Sequence, residues 1–173
     1  MEAPKQVKPK RLADYLEVMS KSVFQAGISW AVIDAKWEGF REAFEGFEPD
    51  LVAGYGDDDV ARLLADPRIV RNRAKVEATV ANARAVVALH DQGGSLVEVV
   101  FSHAPGVDER PPGRFRAFAD MPSVTPASTA LAKDLRTRGF RFVGPTVAYS
   151  LMEAAGVVDD HLEGCWVDVL AEN

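Results

Sequence analysis

The segment GFRFVGPT, residues 139–146, carries residue types that can bind phosphate. Gly139 and Gly144 allow the backbone to approach an anion closely. Thr146 begins a predicted helix, whose N-terminus attracts negative charge, although Pro145 removes one N–H donor there. Three arginines precede or lie within the segment: Arg136, Arg138 and Arg141. The pattern is compatible with contact to a phosphate, although the residues alone favour an ordinary turn between two helices.

Basic residues are concentrated in two segments of a chain whose formal net charge is −6. Residues 62–84 hold six basic and two acidic residues, and residues 131–145 hold four basic and one acidic residue. Residues 42–59 hold seven acidic residues and no basic one. This distribution excludes a uniformly basic nucleic-acid coat but permits one positive face toward a polyanion. Solvated helix faces are the alternative interpretation.

Apolar residues recur at three- and four-residue steps, which predicts the helices that position these segments. We expect helix starts after Ser29 and at Thr125-Pro126, both in favourable capping order. Residues 96–101 could form a strand by composition, but the predicted helices around them favour a short helix. Residues 102–124 form the longest loop. The remaining predicted helices cover residues 12–25, 57–65, 69–90 and 147–155. The sequence thus predicts a nearly all-α domain over residues 12–173, after a disordered basic arm over residues 1–11.

Composition excludes several classes of protein. With 173 residues and 47% hydrophobic residues, the chain can bury a hydrophobic core without the support of disulfides or metal ions. The single cysteine, Cys165, excludes an intramolecular disulfide and a multi-cysteine zinc module. Because no apolar run approaches the ~20 residues of a membrane-spanning helix and no signal peptide is visible, we expect a cytoplasmic protein.

Four strings taken together carry a family resemblance. They are FQAGISW at 24–30, IVRNRAK at 69–75 with NAR at 82–84, TPAS at 125–128, and GFRFVGPT at 139–146, followed by Tyr149-Ser150, Met152 and Asp160-His161. Their order and spacing, from about Leu16 to Cys165, resemble the DNA-3-methyladenine glycosylase I family. The resemblance implies a helix-hairpin-helix DNA glycosylase fold. It also implies base-excision repair, in which an alkylated adenine is flipped out of double-stranded DNA and released.

The resemblance also assigns roles to the first string. A flipped-base site needs a wedge and a stacking surface. Gly27 lets the backbone approach DNA, and Ile28 is an apolar plug. Trp30 matches a pocket tryptophan of the family, and an indole face attracts a cationic base by ~0.5–2 kcal/mol; alone, it would suggest a core aromatic. Trp37, Phe40, Phe44 and Phe47 are expected in the core.

The sequence departs from the family pattern at two places. Ser22 stands where the family has a base-contacting glutamate, the main candidate for the catalytic carboxylate, and a serine carries no charge to stabilise a cationic transition state. The family's N-terminal segment, with a zinc-binding cysteine and histidine and a pocket tyrosine, has no counterpart here. His161 and Cys165 match only the other half of that zinc site, so we expect no metal and no cofactor. Asp160 is a weaker candidate for a carboxylate.

These observations leave three hypotheses. The first is a glycosylase with altered or reduced activity, in which Ser22 and Trp30 face the base. The second is a non-catalytic binder of damaged or distorted DNA. The third is a scaffold that no longer binds DNA. We expect a monomer that does not bind membranes.

Overall fold

The computed structural model describes residues 11–109 and 115–159, and the elements assigned within these ranges are all helical. This confirms the predicted all-α class. The α-helices of the described residues are α1 (Leu12–Gln25), α2 (Trp30–Ala43), α3 (Pro49–Ala53), α4 (Asp57–Ala65), α5 (Arg73–Asp91), α6 (Leu96–Ser102), α7 (Pro126–Thr137) and α8 (Pro145–Ala155). Short 3₁₀ turns lie at Glu45–Phe47, Val107–Glu109 and Phe118–Asp120.

Two apolar clusters form the core, and helices α1 and α5 contribute to both. One cluster joins α1 and α5 to α6, α7 and α8, with Met19, Leu135 and Leu151 fully buried. The other joins α1 and α5 to α2, α3 and α4 and is rich in aromatic rings. On α1, Tyr15 packs in the first cluster and Leu16 in the second. Because α1 and α5 are shared, they fix helices α2–α4 relative to helices α6–α8.

The aromatic cluster confirms the expectation that Trp37, Phe40, Phe44 and Phe47 are core residues. Their rings stack at short range; the centroids of Trp37 and Phe40 are 4.9 Å apart. Phe44 and Phe47 continue this aromatic face but not the helix, because α2 ends at Ala43. The next residues, Glu45, Gly46 and Phe47, all have positive φ, of 52°, 71° and 57°. This left-handed turn redirects the chain while Phe47 stays in the core.

Capping residues define the helix boundaries. Ser29 precedes α2 and Thr125 precedes α7, as predicted. The Thr125 hydroxyl accepts a hydrogen bond from the Ser128 N–H at 3.1 Å, whereas the Ser29 side chain makes no capping hydrogen bond. The predicted helix 69–90 begins later, at Arg73, because the Asn72 side chain caps it by accepting from the Lys75 N–H at 3.2 Å.

The predicted arm falls almost entirely outside the described residues, which begin at Arg11. Arg11 itself directly precedes α1. Its backbone N–H donates to the Asp14 carboxylate at 3.0 Å, and its guanidinium contacts Glu48 at 2.9 Å. Among the helices of the described ranges, none combines the length and apolar character needed to cross a bilayer.

Candidate functional site

Lys75 on α5 fixes the loop between α1 and α2, residues 26–29. Its buried ammonium donates to the backbone carbonyl oxygens of Phe24 at 3.1 Å and Ala26 at 2.6 Å. These carbonyls lie at the C-terminal end of α1, where a helix leaves its acceptors without intrahelical partners. Burial lowers the pKa of Lys75 below its usual value. The lysine therefore anchors the 26–29 loop to α5.

The 26–29 loop exposes a glycine and a partly buried isoleucine. Gly27 has φ of 75°, in the left-handed region that glycine accepts without strain. Ile28 donates its N–H to the Gln25 carbonyl at 3.1 Å, and its side chain packs in part against the aromatic cluster. The predicted apolar plug thus protrudes only in part from the loop.

Trp30 is the first residue of α2, and 72% of its surface is exposed. It therefore does not pack in the core as its near neighbour Trp37 does. An exposed indole beside a glycine-containing loop offers a flat surface on which another ring can stack.

Asn82, also on α5, fixes the turn between α7 and α8. Its buried side-chain amide donates to the Arg141 carbonyl oxygen at 3.1 Å, and its Oδ1 accepts the Arg141 N–H at 2.7 Å. Both backbone groups of one turn residue are thereby satisfied by one side chain. Because Phe140 and Val143 are buried on either side of the clamped residue, the turn is held firmly to the core.

In the α7–α8 turn, residues 138–144, only one of the two predicted glycines has a positive φ. Gly139 has φ of 93°, but Gly144 has φ of −90°, which other residues also adopt. The second left-handed position is Phe142, with φ of 57°. Thr146 is exposed in the first turn of α8. Gly139 thus has the positive φ that favours glycine, whereas the φ of Gly144 does not require it. The helix begins at Pro145, one residue before the predicted start at Thr146.

The three predicted DNA-contacting arginines are all exposed but differ in their partners. Arg138 pairs with the Asp134 carboxylate, with Nε to Oδ1 at 2.8 Å. Arg136 donates from Nε to the Ala132 carbonyl at 3.1 Å. Across residues 11–109 and 115–159, neither Arg136 nor Arg141 has a carboxylate within ion-pair distance. Their charges remain available to an anionic partner.

Ser22 lies on α1 and faces α8. Its hydroxyl donates to the Ser150 hydroxyl at 3.3 Å, and Ser150 donates in turn to the Thr146 carbonyl at 3.3 Å. The position that carries a glutamate in the family pattern is therefore occupied by a partly buried pair of neutral hydroxyls, linked to the start of α8.

Two other charged residues of α1 have structural partners. Glu17 accepts hydrogen bonds from Trp37 Nε1 at 2.7 Å and Arg41 Nε at 2.6 Å. Lys21 pairs with Asp34 at 2.7 Å. Both side chains tie α1 to α2, so Glu17 does not replace the missing carboxylate and Lys21 is not a free amine.

Three candidates, Asp160, His161 and Cys165, lie outside the described residues. Among the residues that the structure does describe, no three His, Cys, Asp or Glu side chains are grouped closely enough to hold a metal ion.

Sequence reasoning gave no role to Lys75 or Asn82, although both belong to the strings that carry the resemblance. The available signal was their position: two polar residues spaced seven apart among valines and alanines of the longest helix. Seven residues make about two helical turns, so both lie on the same face.

Comparison with known proteins finds relatives that match most of the chain. A family model described as methyladenine glycosylase matches residues 9–168. DNA-3-methyladenine glycosylase 1 of Escherichia coli (strain K12) is 41% identical over 144 residues, 82% of this chain and 74% of that protein. The DNA-3-methyladenine glycosylase of Haemophilus influenzae is 38% identical over 144 residues, covering 82% of this chain and 75% of that protein.

Solved structures agree with the sequence comparison. A crystal structure of 3-methyladenine DNA glycosylase I superposes with a TM-score of 0.82 and 38% identity, covering 93% of this chain and 87% of that one. A tyrosine-to-phenylalanine variant of such an enzyme, in complex with 3-methyladenine, gives a TM-score of 0.81 and 32% identity, with coverages of 93% and 86%. Sequence and fold together show that the chain belongs to the methyladenine glycosylase family.

Proposed function

We propose that this protein is a DNA glycosylase of base-excision repair. It flips an alkylated adenine of the 3-methyladenine type out of double-stranded DNA and hydrolyses its N-glycosidic bond. The relatives named above are DNA-3-methyladenine glycosylases. The observation that carries the proposal is that one helix, α5, holds the 26–29 loop through Lys75 and the α7–α8 turn through Asn82. Two loops held at a fixed separation suit double-stranded DNA, whose backbone is regular.

In this proposal, the two loops have different tasks. The α7–α8 turn and Thr146 bind the phosphates of one strand, aided by Arg136 and Arg141. The 26–29 loop enters the duplex and holds it open, with Gly27 at the closest approach. Trp30 presents its exposed indole to the extruded base, and a cationic base is attracted to that ring.

The chemistry proceeds without a carboxylate at Ser22. An N3-alkylated adenine already carries positive charge, so it leaves as a neutral base when the C1′–N bond breaks and needs no general acid. Water then adds to C1′ and gives up a proton to solvent. Positioning of the base and sugar supplies several kcal/mol of the acceleration, but Ser22, unlike a glutamate, carries no negative charge to stabilise the cationic sugar. The proposal therefore includes reduced activity.

A non-catalytic DNA binder is the second candidate, and the neutral pair of Ser22 and Ser150 favours it. A site built to hold a base by stacking alone would bind distorted DNA without cutting it. We further propose that the protein is cytoplasmic. It acts as a monomer in either case, since one chain contributes all the loops invoked here.

Release of 3-methyladenine from methylated duplex DNA tests the proposal. We expect slow release by the wild type, faster release by Ser22→Glu, and no gain from Ser22→Gln, which matches glutamate in size but not in charge. Release by Ser22→Glu alone would support the binder. If no variant releases base and none binds duplex, the glycosylase proposal is wrong.

A further inference from the structure

Phe142 and Phe47 share an uncommon backbone conformation, but burial of the ring offsets its cost only in Phe47. Both have φ of 57°, a region that a bulky residue enters at a cost in free energy. Phe47 is fully buried, and its ring lies 5.2 Å from that of Phe44 and 5.5 Å from that of Trp37. Phe142, by contrast, is 55% exposed.

The fold requires the left-handed backbone at position 142 but does not require the ring. Asn82 clamps the preceding residue, Arg141, while Phe140 and Val143 are buried on either side of the turn. The chain therefore reverses at Phe142 whatever its side chain is. Glycine is the residue that meets this demand without strain. A phenylalanine at this place needs another explanation.

The surroundings of Phe142 fit a DNA strand. The ring lies in the α7–α8 turn, within the 131–145 segment of four basic residues and one acidic residue. Its neighbour Arg141 has no ion-pair partner within the described ranges. An apolar ring beside free positive charge matches the chemistry of DNA, where sugars and base edges lie next to phosphates.

We infer that Phe142 is a DNA-contacting residue whose exposed ring packs against the sugar and base edges of the strand bound at the α7–α8 turn. The inference rests on the proposed function, because it takes double-stranded DNA as the partner. Backbone strain that persists without burial is characteristic of functional positions. The ring adds an apolar contact to the phosphate contacts of the turn.

Two substitutions separate the ring from the backbone. Both Phe142→Gly and Phe142→Ala remove the ring, but glycine tolerates the positive φ, so Phe142→Gly should have the higher thermal midpoint. Binding to a duplex with an abasic-site analogue, measured by fluorescence anisotropy, should weaken equally in both, by about 5-fold or more. Phe142→Tyr, which keeps a ring, should bind like the wild type.

Leu51→Ala is the matched control. Leu51 is 51% exposed and lies in the acidic segment 42–59, so its loss should leave duplex affinity unchanged. Wild-type affinity in Phe142→Gly, an equal loss in Leu51→Ala, or affinity that follows the thermal midpoint would each overturn the inference. A wild type that binds no duplex would instead refute the proposed function, and the inference with it.

Discussion

Lys75 and Asn82 lie seven residues apart on α5, and each binds the backbone of a different loop. Lys75 reaches the Ala26 carbonyl at 2.6 Å, and Asn82 accepts the Arg141 N–H at 2.7 Å. At 1.5 Å per residue, the two positions are about 10 Å apart along one helix face. The 26–29 loop and the α7–α8 turn, remote in sequence, therefore have one rigid support.

Asn82→Ala should loosen the α7–α8 turn. It removes two hydrogen bonds and leaves the Arg141 N–H and carbonyl without a partner, so the free energy of unfolding should fall by about 2–3 kcal/mol. Duplex affinity should also fall. Val80→Ala is the control, because it opens a cavity on the same helix without touching the turn. If both variants lose stability alike and Asn82→Ala binds duplex as tightly as the wild type, Asn82 has only a structural role.

Lys75→Met should loosen the other loop. Loss of two charge-assisted hydrogen bonds is partly offset by removal of a buried charge, so we expect a net loss of about 1 kcal/mol. Amide hydrogen exchange provides the sharper measurement. It should accelerate at residues 26–29 in Lys75→Met and at residues 140–143 in Asn82→Ala. Acceleration of both segments in either variant would show that α5 does not hold the two loops independently.

The Tyr55 hydroxyl should make the folded protein less stable as the pH becomes alkaline. It donates to the Glu45 carboxylate at 2.6 Å, and burial, followed by that hydrogen bond, raises its pKa well above the ordinary 10.0. A raised folded-state pKa contributes stability that is present below pH 10.0 and is lost as pH rises further.

Tyr55→Phe should lose less folding stability at alkaline pH than the wild type. Denaturant unfolding from pH 8 to 11 should show a smaller decline in Tyr55→Phe than in the wild type. A residual decline is expected from Tyr15, whose pKa burial also raises. An identical decline in the two proteins would refute the role of Tyr55.

Gly39 should not tolerate alanine. A Cβ added to this residue of α2 would lie 2.7 Å from the Arg68 Cβ and 2.9 Å from the Arg68 carbonyl oxygen. Relief requires movement of backbone, so we expect destabilisation of about 1–3 kcal/mol in denaturant unfolding. The same change at Gly56, where nothing lies within 4 Å of an added Cβ, should cost less, about 0.5–1 kcal/mol, because alanine is a poorer N-cap residue than glycine. Equal stability of the two variants would contradict this packing.

The sequence predicted helices well where apolar spacing is regular, as along α1, and where a capping residue marks the start, as at Thr125. It did not predict the left-handed turn at Glu45, because neither Glu45 nor Phe47 is a residue that favours positive φ. Apolar spacing alone also placed the start of α5 too early, since Ile69 is buried although it precedes the helix.

For the candidate site, the sequence identified the exposed residues but not the buried residues that hold them. Residue type and the family pattern identified Gly27, Trp30 and the arginines, all exposed. They did not identify the supports, Lys75 and Asn82, because hydrogen bonds between residues 49 and 59 positions apart are a property of the packed helices. Nor does periodicity show that Ser22 meets Ser150, which is 128 residues away.

Single-turnover release of 3-methyladenine from methylated duplex DNA, by the wild type and Trp30→Ala, tests the central claim most directly. The account predicts that the wild type releases the base. Trp30→Ala should release it about 5-fold more slowly or worse, from loss of the stacking contact. Val32→Ala, another exposed apolar position on α2, should match the wild type. A wild type that binds the duplex but releases no base would contradict the claim of catalysis.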